Sequence, residues 1–141
     1  ELDGDDAKNF SGTAKYSISF DKPSGNASNY LLDFGKVNET AEVILNGKRI
    51  STLIGPTFQC VIPASAFQQT NKLEIIVANL MANRIAYMDR NDIPWKIFYN
   101  TNMPARLREN SKNGLFDASG WKPLPSGLIG PVTIAPLSKN D

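Results

Sequence analysis

The chain has 141 residues, of which 41% are hydrophobic and 21% charged, with a formal net charge of +1. That is the size of one domain, able to bury about two-thirds of its unfolded surface. Its balanced charge gives no electrostatic footprint for nucleic acid or for an anionic membrane surface. There is no histidine, and Cys60 is the only cysteine. Ser-His-Asp and Cys-His mechanisms, His-ligated metals, an internal disulfide and a cysteine-based zinc site are therefore excluded. No apolar run reaches the about 20 residues that a membrane-spanning helix needs. The chain opens at Glu1 without a signal peptide and reads as a mature or excised piece.

Residues 1–9 are acidic and polar and read as a linker or frayed terminus. Asp3, Asp5 and Asp6 offer the oxygen ligands of a structural calcium, but the span lacks the glycine and closing glutamate of an EF-hand loop. The expectation is a solvated terminus and no cofactor. Residues 12–20 predict a strand with Tyr16, Ile18 and Phe20 on a buried face and Lys15, Ser17 and Ser19 on a wet one. Residues 21–29 are a turn cluster containing Pro23 and Gly25. Tyr30, Leu32 and Phe34 alternate through a second strand that Gly35 ends.

Val43 and Leu45 alternate with Glu42 and Asn46, and Asn46-Gly47 then predicts a type I′ hairpin turn, because both residues tolerate positive φ. Ile50 and Leu53 lie on the returning strand. Phe58, Cys60 and Ile62 form the next apolar face, which makes Cys60 a buried small hydrophobe. Pro63 stops that strand. Residues 64–70 predict a helical turn with Ser65 as its cap and Gln68 in the capping-box position. Asn71 is the turn residue before a strand carrying Leu73, Ile75 and Val77.

Residues 81–122 form a long insertion without sustained alternation. Residues 85–90 suit a helix and 95–99 a strand, with Pro94 and Pro104 interrupting; 110–114 read as an exposed tip. Insertions of this length in a compact domain are usually functional or disordered, and the aromatic content argues against disorder. Residues 128–137 close the domain, with Val132 and Ile134 facing one way, Pro131 and Pro136 confining the strand to an edge, and 138–141 a polar tail. About eight short antiparallel strands with little helix predict an all-β, jelly-roll β-sandwich over residues 10–137, interrupted by one long irregular insertion.

Sugar sites combine flat aromatic rings with planar polar groups that make paired hydrogen bonds to neighbouring hydroxyls. Asn83, Arg84, Tyr87, Asp89, Arg90, Asn91, Asp92 and Trp95 supply both, and Trp121 adds a second ring beside Gly120. The structural alternative has Trp95 capping the core with Ile93 and Ile97, and Arg84 pairing with Asp89 on the surface. Asp89, Asp92, Glu109 and Asp117 are the carboxylates of this segment, but nothing in the sequence sets their separation, which decides a glycosidase mechanism.

Several of these pieces occur in an order that resembles a known family. They are the strand ending Asn46-Gly47-Lys48, the Gly55-Pro56-Thr57-Phe58 step, the strand ending Val77-Ala78-Asn79-Leu80, and the closing run Pro125 through Val132. With Phe10 to Ala14 and Tyr16 at the start, and Asn83-Arg84 after the central strand, they are similar to the sugar-binding β-sandwich of family 2 glycoside hydrolases. They are closer to the sandwich that accompanies the catalytic barrel of family 106 α-L-rhamnosidases. The resemblance covers residues 10–137 and implies a galactose-binding-like sandwich that does no catalysis itself, packs on the catalytic domain of a parent chain and is periplasmic or extracellular. A carbohydrate partner would then meet Asn83, Arg84, Tyr87, Asp89, Trp95 and Trp121. An independent carbohydrate-binding module and a purely structural or interaction domain remain as alternatives. Neither nucleic acid nor membrane is an expected partner.

Overall fold

The computed structural model describes residues 4–97 and 107–137, apart from the side chains of Asp5 and Asp6. The expected calcium ligands Asp3, Asp5 and Asp6 fall outside that description, as do residues 98 and 99 of the expected strand and the 138–141 tail. In chain order the elements are helix α1 (Gly4–Lys8) and strands β1 (Thr13–Asp21), β2 (Asn29–Asp33), β3 (Lys36–Val37), β4 (Thr40–Leu45), β5 (Lys48–Ile54), β6 (Gln59–Pro63) and β7 (Thr70–Ala78). Helix α2 (Ala82–Arg90) and strands β8 (Ser111–Lys112), β9 (Leu115–Phe116), β10 (Leu128–Gly130) and β11 (Thr133–Pro136) follow. The chain forms two compact units, one of Thr13–Asn79 with Ser126–Asp141 and one of Glu1–Gly12 with Leu80–Pro125.

The first unit is an all-β sandwich. A four-stranded antiparallel sheet, β1-β7-β4-β5, lies over a three-stranded one, β11-β2-β6, and β3 pairs with β10 in a short ribbon. The predicted alternations fill the space between the sheets. Tyr30, Leu32 and Phe34 come from one side; Ala41, Val43, Leu45, Leu73, Ile75 and Val77 come from the other, all nearly inaccessible. Asn46 and Gly47 adopt φ of 52° and 79°, as the type I′ turn requires. Burial pushes the Cys60 thiol up, in keeping with its place against the core.

Three expectations need correction. The turn after Pro63 is a short 3-10 segment, Ala64–Ala66, with no side-chain cap from Ser65. Asn71, 1% exposed, orders this corner instead. Its Oδ1 accepts the Gln68 N–H and an Asn46 Nδ2–H at 2.9 and 3.0 Å, and its Nδ2 donates to the Gln68 carbonyl at 2.9 Å. The closing strand is also two strands: β10 pairs with β3, and β11 forms an edge beside β2. Gly35, at φ +59°, permits the crossing, since a Cβ there would lie 2.6 Å from the Gly130 carbonyl group.

Strand β1 departs from its expected burial as well. Its register sets Tyr16 opposite Ile75 and Ile18 opposite Leu73, so its apolar residues do share the inner face of the sheet. Yet Tyr16 is 37% and Ile18 59% exposed. Three strands face four, and the inner face of β1 is left partly uncovered around Ile18, while Phe20 packs on the core and the Tyr16 hydroxyl accepts the Leu128 N–H at 3.3 Å.

In the second unit α2 forms where the sequence suggests it. The 110–114 tip is a hairpin: β8 and β9 turn through Asn113 and Gly114, at φ 54° and 78°. Residues 95–97 form no strand. Pro94 lacks an N–H for a ladder, and the Trp95 indole is committed to a helix side chain described below. Ala86, Phe116 and Ala118 make a small core, with Ile85, Trp95 and Trp121 packed on it.

Asn71→Ala should strand the polar groups of Gln68 and Asn46 and cost about 1–3 kcal/mol. Ile18→Ser, on the uncovered face, should cost less than about 1 kcal/mol. Urea denaturation of both variants checks this, and equal costs would contradict the burial assignment.

Candidate functional site

The site residues lie on α2 and on the loops after it. The helix ends in a left-handed closure. The Asn91 N–H bonds the Tyr87 carbonyl at 3.1 Å, and the Ile93 N–H reaches back to that of Met88 at 2.8 Å. Asp92, between them, takes φ +52°. This is the geometry in which a helix end is sealed by one residue of positive φ, usually glycine.

Asp89 organises the region. Its side chain is only 5% exposed. Oδ1 accepts the Trp95 Nε1–H and a Lys96 Nζ–H, both at 2.7 Å, and Oδ2 accepts the Ala118 N–H at 2.8 Å. Burial by itself would raise its pKa. The Ala118 N–H, the Lys96 ammonium and the Trp95 indole outweigh it and hold the carboxyl below its ordinary value. One carboxylate thus fixes a helix, the Trp95 loop and the Ala118 loop together.

The other predicted residues divide by role. Asn83, 7% exposed, clamps Leu124 by donating to its carbonyl and accepting its N–H, both at 2.8 Å. Trp121 donates its indole N–H to Asn110 Oδ1 at 2.8 Å. Phe116 meets Trp95 and Trp121 edge-on, with ring centroids 6.2 and 5.7 Å apart. Arg90 bonds the Trp121 carbonyl at 3.1 Å. Arg84 stacks over the Tyr87 ring at 5.3 Å instead of pairing with Asp89, whose ionic partner is Lys96.

A cavity of about 350 Å³ opens between the end of α2 and the β8–β9 hairpin. Of the six sugar candidates, Asp89 and Trp95 line it; Asn83, Arg84, Tyr87 and Trp121 do not. Asp92, which the sequence offered among the polar groups of 83–95 and among the carboxylates, and Asp117, offered among the carboxylates, line it as well. Lys96, Lys112, Asn113 and Phe116, which the sequence did not single out as site residues, line the wall with Ile93, Pro94 and Leu115. The signal available for the hairpin pair was the Asn113-Gly114 dipeptide, the same turn code that located Asn46-Gly47.

No protein-family model matches the chain. A protein named "Putative beta-glucuronidase" from Formosa agariphila is 34% identical over 155 residues, covering 94% of this chain and 13% of that protein. The rhamnosidase structure from Novosphingobium sp. PP1Y superposes on 95% of this chain with a TM-score of 0.70 and 30% identity, using 12% of its own length. The homologues are glycoside hydrolases. The chain spans only 13% and 12% of these two glycoside hydrolases, and the likeness runs through sandwich and insertion alike. A Lactobacillus rhamnosus β-glucuronidase shares 25% identity over 50% of this chain, at a TM-score of 0.43 too low to bear on the fold.

Asp89→Ala should destabilise the protein by about 3 kcal/mol, because Lys96, the Trp95 indole and the Ala118 amide lose a common acceptor. The folded pKa of Asp89 lies below the unfolded one. Its contribution is therefore present above the unfolded value and lost as pH falls through the folded one. Urea denaturation across that range should show the gap between wild type and Asp89→Ala narrowing with acid. A gap independent of pH would rule out the ionised hub.

Proposed function

We propose that this chain is a non-catalytic accessory β-sandwich, galactose-binding-like in fold, of a larger rhamnosidase-like glycoside hydrolase. It packs on the catalytic domain of the parent polypeptide and contacts carbohydrate, in the periplasm or outside the cell. The observation that carries this reading is the pattern of coverage: nearly all of this chain, 94% and 95%, matches within 13% and 12% of its relatives. The sandwich supports it physically. A groove of about 440 Å³ runs along the uncovered inner face of β1, lined by Tyr16, Ile18, Phe20, Leu128, Val132 and Ile134 with Leu73 and Ile75 at its base. Ile18 at 59% and Val132 at 38% exposure lie open to water. Apolar surface gathered in one place fits a domain that rests on the remainder of a longer chain.

No nucleic acid or membrane enters this reading. The net charge of +1 offers neither an electrostatic partner, and no helix among the described residues is long and apolar enough to cross a membrane. An independent carbohydrate-binding module is the second reading, favoured by the half-buried Trp95 at a cavity with a polar rim.

Ile18→Lys combined with Val132→Lys tests the docking. In the isolated chain both positions are exposed, so stability should change by less than about 1 kcal/mol. Within the full parent polypeptide the pair should separate the unfolding of this segment from that of the catalytic domain in calorimetry and speed its proteolytic release. Unchanged calorimetry and proteolysis of the parent would remove the groove as the packing face.

A further inference from the structure

We propose that the cavity between α2 and the β8–β9 hairpin is a binding site for one neutral sugar residue, with Asp92 and Asp117 as hydroxyl acceptors and Lys112 and Asn113 as donors. The proposal rests on the reading of the chain as part of a glycoside hydrolase and adds the location of the site and the class of sugar. At about 350 Å³ the cavity is at the small end of ligand pockets, which run from roughly 300 to 1,000 Å³. Trp95, Ile93 and Phe116 supply an apolar wall for the carbon face of a pyranose.

The polar rim is available for a ligand in a way that the rest of the unit is not. Asp89, its side chain only 5% exposed, already accepts three donors, from Trp95, Lys96 and Ala118. Asp117 accepts the Ser119 N–H and Oγ–H at 3.1 and 2.8 Å, one on each oxygen, and each carboxylate oxygen has room for a second donor. Among the described residues no hydrogen bond or ion pair occupies the side chains of Asp92, Lys112 or Asn113. Asp92 sits at the positive-φ closure of α2, where glycine would relieve the backbone. A carboxylate at that position, on the rim of a cavity, is placed where the fold alone would favour its loss.

Charge then chooses among sugars. Asp89 and Lys96 neutralise one another at 2.7 Å. Two carboxylates, Asp92 and Asp117, are left facing one ammonium, Lys112. Hydroxyl groups of a neutral hexose or deoxyhexose donate to the carboxylates and accept from Lys112 and Asn113. A uronate would bring a further carboxylate to a rim already negative, and like charges repel.

Calorimetric titration of the chain with L-rhamnose, D-galactose and D-glucuronate tests this, alongside Asp92→Gly, Lys112→Ala and, away from the cavity, Arg84→Ala. At least one neutral sugar should saturate, and D-glucuronate should bind about ten-fold more weakly. Asp92→Gly should weaken the neutral sugar by about ten-fold while leaving Tm equal or higher. Lys112→Ala should also weaken it, and Arg84→Ala should leave it unchanged. The proposal is overturned if no neutral sugar saturates the folded chain, if D-glucuronate binds as tightly, or if Asp92→Gly binds like wild type. None of these outcomes touches the docking reading, which depends on Ile18 and Val132 in the other unit.

Discussion

A buried carboxylate cannot stand alone. Asp89 has a side chain almost sealed from water, and the placing of the Trp95 and Ala118 loops against α2 follows from how its two oxygens are satisfied. The Trp95 indole, the Lys96 ammonium and the Ala118 amide converge on it at 2.7 to 2.8 Å from two separate loops. Irregular chain normally lacks the repeating hydrogen bonds that hold a strand or helix in place. Here one ionised acceptor substitutes for them, and charge-assisted bonds of this length are the stronger kind. The arrangement also holds Trp95 in the wall of the cavity, with the Lys96 ammonium over its ring, and explains why residues 95–97 form no strand.

The sandwich unit is governed by a different constraint, the mismatch in width between its sheets. Burial of Val43, Leu45, Leu73, Ile75 and Val77 against Tyr30, Leu32 and Phe34 supplies its core. At roughly 25 cal/mol per Å² of apolar surface, this is the dominant favourable term. Four strands facing three leave one strand without a lid, and β1 is that strand. Its outer face is managed conventionally: Lys15 meets Glu74 at 3.0 Å, and Lys72 meets the same carboxylate. These two ammonium groups hold Glu74 below its ordinary pKa. The inner face of β1 has no such provision, which is why the groove there carries the docking reading.

The two surfaces ask for different kinds of partner. The groove along β1 is mostly apolar, suited to another protein surface. The cavity beside the hairpin is small and mixed in character, suited to a polyol. An accessory domain that only filled space would need the first and not the second. Similarity to segments of the rhamnosidase and of the protein from Formosa agariphila, each matched over a small fraction of its length, gives both surfaces a common context. On the function proposed above, a segment that rested on a catalytic domain would be well placed to hold part of the sugar on which that domain acts.

Local chemistry decided much of this protein. The alternation of Tyr30, Leu32 and Phe34, of Val43 and Leu45, and of Leu73, Ile75 and Val77 specifies strands and their buried faces, because a pleated strand has a period of two whatever it packs on. Asn46-Gly47 specifies a hairpin for the same local reason, and Asn113-Gly114 carries the same information. The absence of histidine alone removed whole classes of mechanism. The side on which Tyr16 and Ile18 lie was legible too; that they are only partly covered was not, because cover depends on how many strands the facing sheet contributes. Trp95, Asp89 and Asp117 were visible as residue types, but Asp89 serves as a hub and Asp117 as a rim only because loops distant in sequence converge on the end of α2. Alternation and turns are properties of neighbours along the chain, and the sequence by itself determined those. The uncovered face and the cavity are properties of segments far apart, and only tertiary packing decided them.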